Sequence, residues 1–209
     1  MNAITFDIET GPLSRVEIAD QMPVFEAPSN WKDPEKIRAY IATKEAEWYQ
    51  QAALSATTGR VLAIGYIQDS GAFDTLASGD EATDIGSFWD LITYYGAVTQ
   101  RLIGFNSNSF DLPFLIRRSW KLGVRPPATL MSGRFLNHNC VDLLDLWRCG
   151  IREDRISLDK LARFLGVGGK NGEGADFASL WSMNREAALS YLQNDVLLTR
   201  RCAQVLGVL

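Results

Sequence analysis

The apolar residues of this chain come in short bursts such as "AITF", "VLAIGY" and "RLIG". Between them lie stretches where apolar residues recur every three to four positions. Bursts of this length fit strands buried in a sheet, and the intervening periodicity fits helices packed against it. None is long enough to span a bilayer, which leaves no membrane partner to expect. With 209 residues, 46% of them hydrophobic, the chain can form one domain with a substantial core. Its net charge of −4, mixed along the chain, argues against disorder and against a sequence-independent basic coat for nucleic acid. An enzyme that acts on nucleic acid is still open, because bound metal ions supply positive charge locally. The N-terminus lacks a basic and hydrophobic signal pattern. Cys140, Cys149 and Cys202 have no zinc or redox spacing, so reduced, buried thiols in a cytoplasmic protein are expected.

The order of elements narrows the fold. "AITFDIE" reads as a buried strand. Asp33-Pro34 starts a helix, with Asp as cap and Pro in the first helical position. That helix is expected over 34–54, with Ile37, Tyr40, Ile41, Trp48 and Ala52 on one face and Trp48 packed into the core. "TGR" turns into the strand "VLAIGYIQ", and "GAFDTLA" adds a third, making an antiparallel meander. Residues 84–97 have helical period, "RLIGFN" reads as a strand, and a helix from about Ser109 to Leu122 stops at Gly123. Arg117, Arg118 and Lys121 are expected on its outer side. "CVDLLDLW" is expected as the last strand, Ser157 caps a short helix, and a long helix runs from Asn184 to about Val205. These elements predict an α/β fold: a mixed five-stranded sheet with helices on both faces. Periodicity alone leaves several such architectures open.

Chemistry enters through the acids. In "FDIET", Asp7 and Glu9 share strand parity and project from one face while Ile8 points away. Two like charges this close need water or a cation between them. A strand running out into a polar turn at "TGP" would account for this pair alone. Asp195 falls inside the apolar stripe of the last helix, among Ala188, Tyr191, Leu192, Leu198, Cys202 and Val205. A carboxylate there is costly to desolvate unless a basic side chain or a metal meets it. Tyr191 stands one helical turn before it. Asp111, in "GFNSNSFDLPFL", enters a helix after a buried strand, a place that an ordinary N-terminal acid also fills.

Together, "DIE", then "N…FD" after a strand, then "YLQND" on a late helix resemble the three motifs of the DEDD superfamily of 3′–5′ exonucleases. The tyrosine four residues before the last Asp resembles the tyrosine subclass. The resemblance is strongest to the proofreading exonuclease domain of family B DNA polymerases and its stand-alone relatives, and it covers nearly the whole chain. It implies the ribonuclease H-like fold and one exonuclease domain over 1–209, from whose compact form this sequence departs by a helical insertion at about 12–57. It implies a site for two Mg²⁺, with Mn²⁺ able to substitute, formed by Asp7, Glu9, Asp111 and Asp195. In that arrangement Asp7 is shared, Glu9 and Asp195 complete one ion, and Asp111 holds the other. Tyr191 would position the attacking water. Asn106, Phe110 and backbone groups around Thr10 would meet the terminal nucleotides, although a turn-forming Asn and a core Phe are adequate bland readings of the first two.

The implied substrate is a single-stranded 3′ end, DNA favoured over RNA, with the chain working alone or with a polymerase or repair complex. An exoribonuclease, a non-catalytic binding module and a small-molecule phosphohydrolase are the competing classes. His138, the one histidine, reads as a surface loop residue. "GVGGKNGEG" reads as a surface loop rather than a phosphate-binding loop, with Lys170 near a phosphate backbone. Asp142 and Asp145 fit no motif spacing and are left outside the metal set.

Overall fold

The computed structural model describes residues 2–94, 97–130, 139–169 and 177–209; His138 and Lys170 lie outside them. Two compact units divide the chain, Thr10–Arg60 and the remainder. The larger unit is built on a five-stranded sheet of order β3-β2-β1-β6-β7. Its strands are β1 (Ala3–Pro12), β2 (Gly59–Gln68), β3 (Phe73–Leu76), β6 (Arg101–Gly104) and β7 (Cys140–Asp142). β2 and β3 pair antiparallel, while β6 runs parallel to both β1 and β7. The sheet is therefore mixed, as the ordering of segments predicts.

Strand alternation places helices on both faces. Phe6 packs its ring 5.2 Å from Phe88 on α2 (Glu81–Ile92). Ala3, of opposite parity, joins a cluster with Ile103, Leu158 and Leu161 of α5 (Leu158–Phe164), and Leu198 and Cys202 of α7 (Arg185–Val205). α7 also covers β2, where Leu192 and Val196 meet Leu62, Ala63 and Ile67. Gly65 makes that approach feasible: a Cβ there would come within 2.7 Å of Leu192 Cγ. Asn184 caps α7 by accepting the Ala187 amide at 3.0 Å. α6 (Phe177–Met183) precedes it. No helix among the described residues is long and apolar enough to cross a membrane.

Several expectations are corrected. The helix expected over 84–97 starts earlier, because Asp80 caps it through the Thr83 amide at 2.8 Å. It ends at Ile92, and a small hairpin of β4 (Thr93–Tyr94) and β5 (Ala97–Val98) follows. "CVDLLDLW" is a strand only through Asp142, whose Oδ1 accepts the Leu144 amide at 2.9 Å and opens α4 (Leu143–Arg148). α3 (Asp111–Leu122) ends at Gly123 in the left-handed region, as expected, but Arg118 is buried rather than outward. Val205, expected inward on α7, is 55% exposed. Cys149 is exposed and Cys140 half-buried, so only Cys202 is the buried thiol expected of all three.

The unit Thr10–Arg60 holds α1 (Pro34–Gln51), capped by Asp33 through the amides of Glu35 and Lys36. The expected amphipathic helix over 34–54 becomes this helix plus one 3-10 turn; α1 itself buries no residue, while Ala52 in the turn is buried. Trp48 is half-buried, not a core side chain. Within the unit, Tyr49 Oη donates to the Leu13 carbonyl at 3.0 Å and the Arg15 guanidinium lies 4.5 Å from the Tyr49 ring centre.

Candidate metal centre

The site forms where β1 outruns its neighbour. The β1–β6 register covers Ala3 to Thr5, and β6 stops at Gly104. The Ile8 amide, farther along β1, donates instead to Asp111 Oδ1 at 3.1 Å. Asp111 is the first residue of α3, so the loop after β6 turns back on the strand and lays a carboxylate beside it. The carboxyl ends of parallel strands are where open α/β sheets commonly place their ligands.

Ile8 is buried in the core, which turns Asp7 and Glu9 to the other face of β1. There they meet Asp195. One carboxylate oxygen from each of Asp7, Glu9 and Asp195 lies within 4.8 Å of the others, with Asp7 and Glu9 half-buried and Asp195 buried. Three carboxylates at this spacing repel one another, and burying Asp195 at 4% exposure weakens the screening. Oxygen-only donors of this kind suit a hard divalent cation such as Mg²⁺ or Mn²⁺. The residues therefore fit the metal that the motifs imply.

Asp111 stands next to this trio without belonging to it. Burial pushes its carboxyl up to about 7, and the charge of Asp142 adds to the rise. The Ile8 amide, Asp111's own amide and the Asp7 side chain oppose that shift. A cation nearby would favour the ionised form. Tyr191 is half-buried one turn before Asp195, its ring centre 6.4 Å from that of Phe177.

The residues between β6 and α3 are held in place by Asp142. Its two oxygens accept the amides of Asn106 at 2.7 Å and Asn108 at 2.9 Å, in addition to Leu144. Asn106 adopts φ 60°, a left-handed conformation that Asn tolerates better than most residues. Phe110 is half-buried with its ring 5.6 Å from that of Phe114. Thr10 follows Glu9 on β1, half-buried, and is counted with the other unit. Asp142 is the residue whose part in the site sequence reasoning missed. Its signal was present, since an acid directly before a helical apolar run is a capping position.

Residues 52–201 match the family described as a predicted 3'-5' exonuclease related to the exonuclease domain of PolB. The chain belongs to that family. The family match includes Asn106, Phe110, Asp111, Tyr191 and Asp195, while Asp7 and Glu9 precede it and are tied to the site by geometry. No curated protein matches the chain. Among solved structures, the family B DNA polymerase from the hyperthermophilic archaeon Pyrobaculum calidifontis is similar, with a TM-score of 0.63 and 19% identity. The similarity covers 99% of this chain and 24% of that polymerase, so the chain spans about a quarter of its length. At that identity the likeness concerns the fold alone, a mixed five-stranded sheet with helices that is consistent with the ribonuclease H-like fold.

Proposed function

We propose that this member of the family is a divalent-metal-dependent 3′–5′ exonuclease of the tyrosine DEDD type. It would trim single-stranded DNA ends to nucleoside monophosphates in proofreading or repair, alone or with a polymerase. The observation that carries this reading is the meeting of Asp7, Glu9 and Asp195 oxygens within 4.8 Å. Asp7 would be shared between two Mg²⁺ or Mn²⁺ ions, Glu9 and Asp195 would complete one, and Asp111, beside Asp7, would serve the other. When bound, the pair supplies the positive charge that acidifies a water and stabilises a leaving 3′-oxygen.

The chain's own residues account for orientation. Tyr191 presents a phenol on the helical face of Asp195. Its role is to position the attacking water rather than to deprotonate it. Asn106, set by Asp142 in a left-handed turn, offers an amide to a sugar or base. Phe110, resting on Phe114, offers a ring to a base, and the backbone at Thr10 meets the terminal 3′-hydroxyl.

The test is single-turnover cleavage of end-labelled single-stranded DNA, matched RNA and free nucleotides, with Mg²⁺, Mn²⁺ or EDTA. DNA should shorten from its 3′ end with either metal and survive in EDTA. Tyr191→Phe keeps the ring and should cleave ~10²-fold more slowly at saturating Mg²⁺, the order expected when an attacking group is no longer held in place. Asp7→Ala should lose metal affinity and rate together. Metal-independent cleavage, or attack from the 5′ end, would overturn the reading.

A further inference from the structure

A polyanionic strand approaching a protein of net charge −4, at a cluster of carboxylates, needs fixed cations somewhere along its path. The described residues provide a candidate beside the loop that leads into Asp111. A surface cavity of about 420 Å³ is lined by Asp145, Arg148, Gly150 and Arg152. α4 ends at Arg148, and two left-handed residues, Cys149 at φ 47° and Gly150 at φ 91°, reverse the chain. That reversal puts Arg152 on the same cavity as Arg148.

The cavity is built rather than incidental. The Arg148 guanidinium is held by Nη1 on Asp145 Oδ1 at 3.0 Å and by Nε on the Asp154 carbonyl at 3.3 Å. The other Asp145 oxygen accepts Asn108 Nδ2 at 3.1 Å. Both oxygens of the one lining carboxylate are thus engaged, and the same lining holds two arginines. Asn108 belongs to the segment that Asp142 clamps, between Asn106 and Phe110. Contacts therefore run from the carboxylate cluster through Asp111 and Asn108 to Asp145 and Arg148.

We infer that Arg148 and Arg152 form a phosphate subsite for the substrate strand, behind its 3′-terminal nucleotide. This rests on the exonuclease reading and adds a strand-tracking contact to it. Guanidinium groups suit the role because they offer forked donors to phosphate oxygens. A backbone contact holds the strand in register without reading its sequence.

The test uses Arg152, which is exposed, so its replacement leaves the core intact. KM for a single-stranded oligonucleotide is measured across a range of salt concentrations with Mg²⁺ present. Arg152→Ala should raise KM several-fold for every sequence tried and flatten the log–log salt slope by about 0.7, the loss of one single-strand phosphate contact. Arg152→Lys should restore the slope. Arg155→Ala, exposed but outside the cavity lining, should behave as wild type. If wild type cleaves while Arg152→Ala keeps its KM and slope, or matches Arg155→Ala, the subsite is wrong and the exonuclease stands. A wild-type protein that leaves every oligonucleotide intact overturns both.

Discussion

Arg118 keeps a charge at 3% exposure because Glu81 meets it with both oxygens. Nε lies 2.9 Å from Oε1 and Nη2 lies 2.8 Å from Oε2. Glu81 Oε1 also accepts the Val61 amide at 2.8 Å, so one carboxylate ties α2, α3 and β2 together. Removing one partner strands the other charge out of water. Arg118→Leu should therefore lower stability by about 3–5 kcal/mol. The double change with Glu81→Leu should cost clearly less than the two singles added, since no lone charge remains. Urea unfolding of the three variants measures this. Additive losses below about 1 kcal/mol each would show the pair to be solvated. The inward position was legible: Arg118 lies three and four residues after Leu115 and Phe114, both in the core. Residue type outweighed spacing in the expectation, and the bidentate partner, 37 positions away, has no local signature.

At the scale of elements, α7 is the piece on which the site depends most. It contributes both Tyr191 and Asp195, and its depth on the sheet follows from Gly65. Gly65→Ala would place a Cβ 2.7 Å from Leu192 Cγ and 3.0 Å from the Phe73 ring. Overpacking of this kind costs about 1–3 kcal/mol. Because Leu192 sits between Tyr191 and Asp195, the displaced turn should also slow cleavage, whereas Gly86→Ala, with open space around it and no left-handed backbone, should not. Thermal melts and cleavage rates decide, and a fully active, fully stable Gly65→Ala would mean that α7 does not depend on this contact. The helix was legible because its stripe is long: Ala188, Leu192, Leu198 and Cys202 are all buried. Val205 fails where the helix ends. "CVDLLDLW" misled because a short apolar run fits strand or helix equally, and only the Asp142 cap decides. α6 has seven residues, too few for a period to show.

Over the whole molecule, the candidate centre joins the beginning of the chain to its last long helix. Asp7 and Glu9 come from β1 and Asp195 from α7, so an ion bound by all three stabilises the folded state and has no counterpart in the unfolded chain. That linkage makes metal binding measurable without any substrate. At a concentration 100 times its Kd, one ion should add about 2.7 kcal/mol to the wild-type protein and raise its Tm accordingly. Asp195→Asn acts in two opposite ways. In EDTA it removes one of three mutually repelling charges, so its Tm should equal or exceed that of wild type. With excess Mg²⁺ it lacks a charged ligand, so its rise should be much smaller than the wild-type rise. The two melting curves should therefore cross in order between EDTA and Mg²⁺. A lost core contact would lower the variant in both conditions, and an equal metal-induced shift in both proteins would remove Asp195 from the ligand set.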